Sequence, residues 1–122
     1  MFTSRPVAVL AEDEALVRME AADMLGDLGF DVREADHAAA ALVHFEAVEH
    51  VDLLYTDVHM PGAFDGCDLA HRVAERWPQT RIIVCSGCPR EEAERLPDSA
   101  HFIAKPCVEM LVRRALKILR VP

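Results

Sequence analysis

The sequence predicts an α/β fold, a five-stranded parallel sheet with helices on both faces. Three observations carry that prediction. Short apolar runs alternate with amphipathic stretches along the whole of the 122 residues. The apolar runs are nearly continuous, as suits strands buried on both faces rather than one. Strands that alternate with helices connect through right-handed crossovers, which leave neighbouring strands parallel. A chain of this length is most simply one domain. No internal repeat, low-complexity tract or linker interrupts it, and the expectation is a single domain over residues 1–122 with no output domain.

The elements follow in order. Residues 6–11 (Pro-Val-Ala-Val-Leu-Ala) form the first strand. Residues 14–28 carry Val17, Ala21, Met24, Leu25 and Leu28 at helical spacing, and Gly29 stands where a helix C-terminal glycine belongs. Residues 30–35 read as the second strand. Asp36 is placed to cap a helix over 37–48, with Ala41, Leu42 and Phe45 inward. Residues 52–56 are the third strand, and the turn formers of 60–66 (Met-Pro-Gly-Ala-Phe-Asp-Gly) make a loop. A third helix spans 67–77 and stops at Pro78. The fourth strand is 81–85, residues 89–96 are a short and highly charged helix candidate, the fifth strand is 101–104, and the last helix is 108–120 with Leu111, Val112, Ala115, Leu116 and Leu119 on one side.

Composition narrows the function. Hydrophobic residues make up 52% and charged residues 28%, which excludes intrinsic disorder. The 13 Lys+Arg against 21 Asp+Glu give a formal charge of −8, which disfavours nucleic acid as a partner. Only Arg113, Arg114, Lys117 and Arg120 gather basic charge. No apolar run approaches the roughly 20 residues of a membrane span, and residues 1–6 carry no signal-peptide pattern, so a cytoplasmic location without membrane contact is expected. A disulfide framework is not expected of the four cysteines at 67, 85, 88 and 107. Cys85-Ser-Gly-Cys88 is nevertheless a C-x-x-C that follows a strand, and a thiol-redox protein is the rival reading. Otherwise Cys85 is a buried strand residue and Cys88 a loop residue. Zinc would need a second such pair, which the sequence lacks.

The polar residues collect at the strand ends. Glu12 and Asp13 follow the first strand, Asp57 the third, Ser86 the fourth and Lys105-Pro106 the fifth. In a parallel sheet those ends share one edge, where ligands bind, and adjacent strands lie only about 4.8 Å apart. Three clustered carboxylates repel one another; a divalent cation among them makes the cluster tolerable, and all-oxygen ligands favour Mg²⁺. A carboxylate can attack phosphorus to give an aspartyl phosphate, a transfer that needs in-line positioning and positive charge on the phosphoryl oxygens. Lys105 supplies charge and Ser86 a hydrogen-bond donor. Each residue also has a plainer reading: Glu12-Asp13-Glu14 as acids favoured at a helix start, Asp57 as a turn former, and Phe102 as a core ring. The convergence of the set argues against the first two.

Taken together, Glu12-Asp13, Asp57 with Met60-Pro61-Gly62 and Asp65-Gly66, Ser86-Gly87 and Lys105-Pro106 resemble the receiver domain of two-component response regulators, most of all stand-alone or hybrid-kinase receivers with an extended Met-Pro-Gly-x-x-Asp-Gly loop. The resemblance spans essentially the whole chain. It implies a flavodoxin-like (βα)₅ sandwich of strand order 2-1-3-4-5. It implies Asp57 as phosphoacceptor, Mg²⁺ held by Asp13, by Glu12 through water, by Asp57 and by the His59 backbone carbonyl, and Lys105 paired with the phosphate. It implies Ser86 and Phe102 as switch residues, a cis Lys105–Pro106 bond, and His59 and Cys88 as positions that tune dephosphorylation. The donor is a phosphohistidine on a sensor kinase or histidine phosphotransfer protein that docks near the first helix. Phosphorylation then switches a surface for a downstream protein that the sequence does not name, with homodimerisation left open. The domain catalyses its own modification and hydrolysis but is a switch, not a metabolic enzyme. The alternatives are an unphosphorylated protein-interaction module and the thiol-redox reading of Cys85 and Cys88.

Overall fold

In a computed structural model of the chain, residues 5–87 and 94–121 are described. Among the described residues, five strands and four helices follow one another as β1 (Val7–Ala11), α1 (Ala15–Asp27), β2 (Asp31–Ala35), α2 (Ala38–Ala47), β3 (Leu53–Asp57), α3 (Gly66–Arg76), β4 (Arg81–Ser86), β5 (Ala100–Ala104) and α4 (Glu109–Leu119). The strands make one sheet of order β2-β1-β3-β4-β5, and every neighbouring pair is parallel.

The double burial inferred from the apolar runs is visible residue by residue. Successive side chains on a strand point to opposite faces. Val9, Ala11, Leu54, Ile82 and Val84 pack on one face with Ala41 and Phe45 of α2 and Leu69 and Val73 of α3. Ala8, Leu10, Leu53, Tyr55, Ile83 and Ile103 pack on the other with Leu25 of α1 and Val112, Ala115 and Leu116 of α4. The helices differ in how much they bury. α3 hides five residues, whereas α1 hides only Leu25 and leaves Leu16, Val17 and Met19 exposed.

Local chemistry sets the helix ends. Gly29 takes φ 104°, and the Phe30 N–H reaches the Leu25 carbonyl while the Gly29 N–H reaches the Gly26 carbonyl, closing α1 as a Schellman turn. At α3, Asp65 accepts from the Cys67 and Asp68 N–H groups and Asp68 accepts from the Asp65 N–H, a reciprocal capping box.

Four expectations need correction. The N-cap of α2 is His37, not Asp36, and neither side chain caps the helix; the Asp36 carboxylate bonds the His37 ring instead. β3 and β4 each run one residue further than read, so Asp57 and Ser86 end their strands rather than follow them. Of the helix expected over 89–96, residues 89–93 lie outside the described residues, and Glu94 and Arg95 are in a turn with Leu96 in a bend rather than helical. Finally, Cys85 is not a solitary buried thiol: it is disulfide-bonded to Cys107. Cys85, next to last in β4, lies beside Ile103 of β5, and the chain turns back past it at residue 107. Spacing within the chain could not show that proximity.

Candidate functional site

The C-terminal edge of the sheet gathers the expected side chains. Ala11 pairs with Thr56 and Asp57 pairs with Cys85, so the residues beyond β1 and at the ends of β3 and β4 stand side by side. Asp57 is almost buried. Its Oδ1 accepts the Val58 N–H at 2.8 Å and lies 3.2 Å from Lys105 Nζ. Glu12 is buried and Asp13 exposed, and one carboxylate oxygen from each of Glu12, Asp13 and Asp57 falls within 4.8 Å of the others. Burial and the Asp57 carboxylate push the Glu12 carboxyl up to about 7, with Lys105 pulling the other way.

Loop backbone fixes these positions. The Glu12 N–H bonds the Ala35 carbonyl, and its own carbonyl accepts Arg18 Nη1 at 3.0 Å. The Lys105 N–H donates to the Ser86 carbonyl at 2.8 Å, which ties the ends of β4 and β5 together, and the Lys105–Pro106 bond is cis. Ser86 is fully buried. Phe102 is half-buried on β5 opposite Val84. His59 is exposed two residues beyond Asp57, and Cys88 lies outside the described residues.

The donor set fits a hard divalent cation. All three acids offer oxygen, the ligand type such ions take. Glu12 Oε1 is buried with no hydrogen-bond partner among the described residues, a costly state that a cation would relieve. An open cavity of about 750 Å³ adjoins the cluster, with Glu12, Asp57 and Lys105 in its wall and Val17, Met24 and Tyr55 among its apolar lining.

Two further contributors went unrecognised in the sequence. Gly66 stands so close to the β3 end that a Cβ would collide with the Asp57 carbonyl oxygen, and its N–H donates to the Val58 carbonyl at 2.8 Å. Arg95 reaches Asp65 at 2.9 Å and its carbonyl meets the His71 ring, so the 94–96 turn is clamped onto α3. The Asp-Gly pair of the loop was legible as a motif, but its steric reason was not.

This sheet, with its acidic cluster and its lysine at the shared edge, has known counterparts. Residues 8–117 match the family model of the response regulator receiver domain, and the chain belongs to that family, a group of phosphoacceptor switches in two-component signalling. It is 30% identical over 100 residues to the transcriptional regulatory protein PdtaR of Mycobacterium tuberculosis, covering 80% of this chain and 48% of that protein. It is 34% identical over 90 residues to the autoinducer 1 sensor kinase/phosphatase LuxN of Vibrio harveyi, covering 74% of this chain and 10% of that protein. It thus spans about half the length of the first relative and a tenth of the second. A response regulator receiver protein from Sinorhizobium medicae superposes with a TM-score of 0.86 at 25% identity, over 95% of this chain and 94% of that one.

Proposed function

We propose that Asp57 accepts a phosphoryl group, with Mg²⁺ bound by Glu12, Asp13 and Asp57, from a phosphohistidine on a histidine kinase or histidine phosphotransfer protein. The observation that carries this reading is the convergence of three carboxylates and Lys105 on one sheet edge. In the transfer an Asp57 carboxylate oxygen bonds to phosphorus as the phosphorus–nitrogen bond breaks, and the histidine leaves to take a proton from solvent. The bound cation would supply positive charge for the phosphoryl oxygens.

The chain's own groups do the rest. The Val58 N–H holds Oδ1 and so orients the carboxylate. Lys105, 3.2 Å from Oδ1, pairs with the charge that the transfer brings in. Ser86, one residue past the Cys85 that pairs with Asp57 and tied through its carbonyl to the Lys105 N–H, would donate its hydroxyl to a phosphoryl oxygen on Asp57. The half-buried Phe102 follows the state of β5 as the second switch residue. The exposed Leu16, Val17 and Met19 of α1, of which Val17 lines the cavity, provide apolar surface for the donor protein. We place the domain in the cytoplasm, as a switch whose output passes through a protein partner.

Incubation with acetyl phosphate and Mg²⁺ tests the chemistry. The expected result is a mass gain of one phosphoryl group, lost in Asp57→Asn and prevented by EDTA. No gain, or a gain that persists in the variant, overturns the reading.

A further inference from the structure

The Cys85–Cys107 bond is placed where it can act on the site. The two Cα atoms are 6.5 Å apart, inside the span that a disulfide bridges. Cys85 stands opposite Asp57 in the β3–β4 register and directly precedes Ser86. Cys107 is two residues past Lys105, whose Nζ contacts Asp57 and whose N–H binds the Ser86 carbonyl. The bond therefore closes a loop around the groups that must shift to receive a phosphoryl group. Both cysteines line the cavity beside Glu12, Asp57 and Lys105. Cys107 is half-buried and Cys85 only 6% exposed, so a small thiol that enters the cavity meets Cys107 first.

We propose that Cys85 and Cys107 are a reversible thiol–disulfide modification site, exchanging with low-molecular-weight disulfides of the glutathione class and setting how readily the Asp57 site adopts its phosphorylated arrangement. The coupling rests on the phosphoacceptor reading above. In oxidation the Cys107 thiolate attacks one sulfur of oxidised glutathione, the glutathione disulfide breaks, and one glutathione thiolate leaves and takes a proton. The Cys85 thiolate then attacks Cys107 Sγ and releases the second glutathione, which takes the other proton. Two cysteine thiols lose two electrons to one disulfide, which becomes two thiols. The closed bond anchors residue 107 to β4 and restrains the segment that carries Lys105. Opening it lets Lys105 and Ser86 rearrange around added phosphate. Because the coupling is reciprocal, phosphorylation in turn favours the open dithiol.

The test uses the full chain equilibrated across glutathione mixtures, quenched, alkylated and analysed by peptide mass. Cys85 and Cys107 are expected to become protected together at intermediate ratios, as a bridged peptide. Beryllium fluoride with Mg²⁺, a phosphoryl mimic, is expected to bind the oxidised chain roughly fivefold or more weakly than the reduced chain. Cys107→Ser is expected to bind it like the reduced chain at every ratio. The proposal is overturned if both cysteines stay alkylatable throughout, if the bridge resists every reducing mixture, if the bridge is found between Cys85 and Cys88, or if both redox states bind the mimic equally. If neither state binds the mimic nor takes phosphate from acetyl phosphate, the phosphoacceptor reading falls and the coupling with it, while the glutathione titration still reports the cysteine pair.

Discussion

Gly66 N–H donates to the Val58 carbonyl at 2.8 Å, and its missing side chain is what lets the Asp57 carbonyl lie against the start of α3. The obstacle to a side chain there is backbone, which cannot swing aside, so the loop between β3 and α3 must move to admit even one methyl group. Gly66→Ala is expected to destabilise the protein by about 1–3 kcal/mol, the usual cost of overpacking. It should also slow phosphorylation, because the displaced segment holds Asp57. Urea unfolding and acetyl phosphate uptake check the two effects together; an unchanged urea midpoint would contradict the steric argument.

Lys105 lies 3.2 Å from Asp57 Oδ1 with its side chain 41% exposed, so the pair adds little to stability. Lys105→Ala should slow uptake from acetyl phosphate by roughly 10²-fold, the typical cost of removing one charge-stabilising donor. Its unfolding midpoint should move little.

Glu12 is crowded by Asp57 and Asp13, and its buried Oε1 has no hydrogen-bond partner among the described residues. Replacing its charge should relieve the metal-free protein and weaken the proposed cation site. Glu12→Gln is expected to raise stability in EDTA by roughly 1–2 kcal/mol while reducing the stabilisation that Mg²⁺ adds. Thermal unfolding with and without Mg²⁺ reads both; a variant that is less stable in EDTA would sink the crowding argument.

Asp65 caps α3, and its loss should cost about 1 kcal/mol near neutral pH. Burial works against its charged form, but the Asp68 N–H and the Arg95 guanidinium outweigh it and hold the carboxyl below the usual range. A lowered carboxyl stabilises the fold above its unfolded value of 3.8 and loses that contribution as pH falls through the folded value. The stability gap between the wild type and Asp65→Ala should therefore narrow on acidification below that range, which unfolding curves across pH will show.

Leu16 and Met19 are exposed on α1, the helix whose Val17 lines the cavity. Leu16→Glu with Met19→Glu should cut phosphotransfer from a cognate kinase about tenfold or more, the scale of losing a buried apolar contact. Uptake from acetyl phosphate, which needs no docking, should stay unchanged.

Sheet topology and the acidic edge were legible in the sequence because both are periodic or positional. Continuous apolar runs imply two-sided burial, and strand ends in a parallel sheet share an edge whatever lies between them. What was hidden depends on proximity across the fold. Cys107 meets Cys85 because β5 lies beside β4 and the chain turns back at Pro106, which no local pattern records. Gly66 reads as a turn glycine until the Asp57 carbonyl is placed against it. Asp36 reads as the cap of α2 until its carboxylate is seen to bond the His37 ring, with His37 itself at the cap position.

Adjacent residues of β1 answer to different cores: Ala8 and Leu10 to one, Val9 and Ala11 to the other. Inserting or deleting one residue within that strand would swap both hydrophobic sets at once and drag Glu12 and Asp13 out of line with Asp57. Exchanging one aliphatic side chain for another leaves that alternation intact, whereas a change of length does not. A counterpart with only a quarter of its residues in common has nearly the same backbone, as a fold set by such a pattern rather than by particular side chains permits.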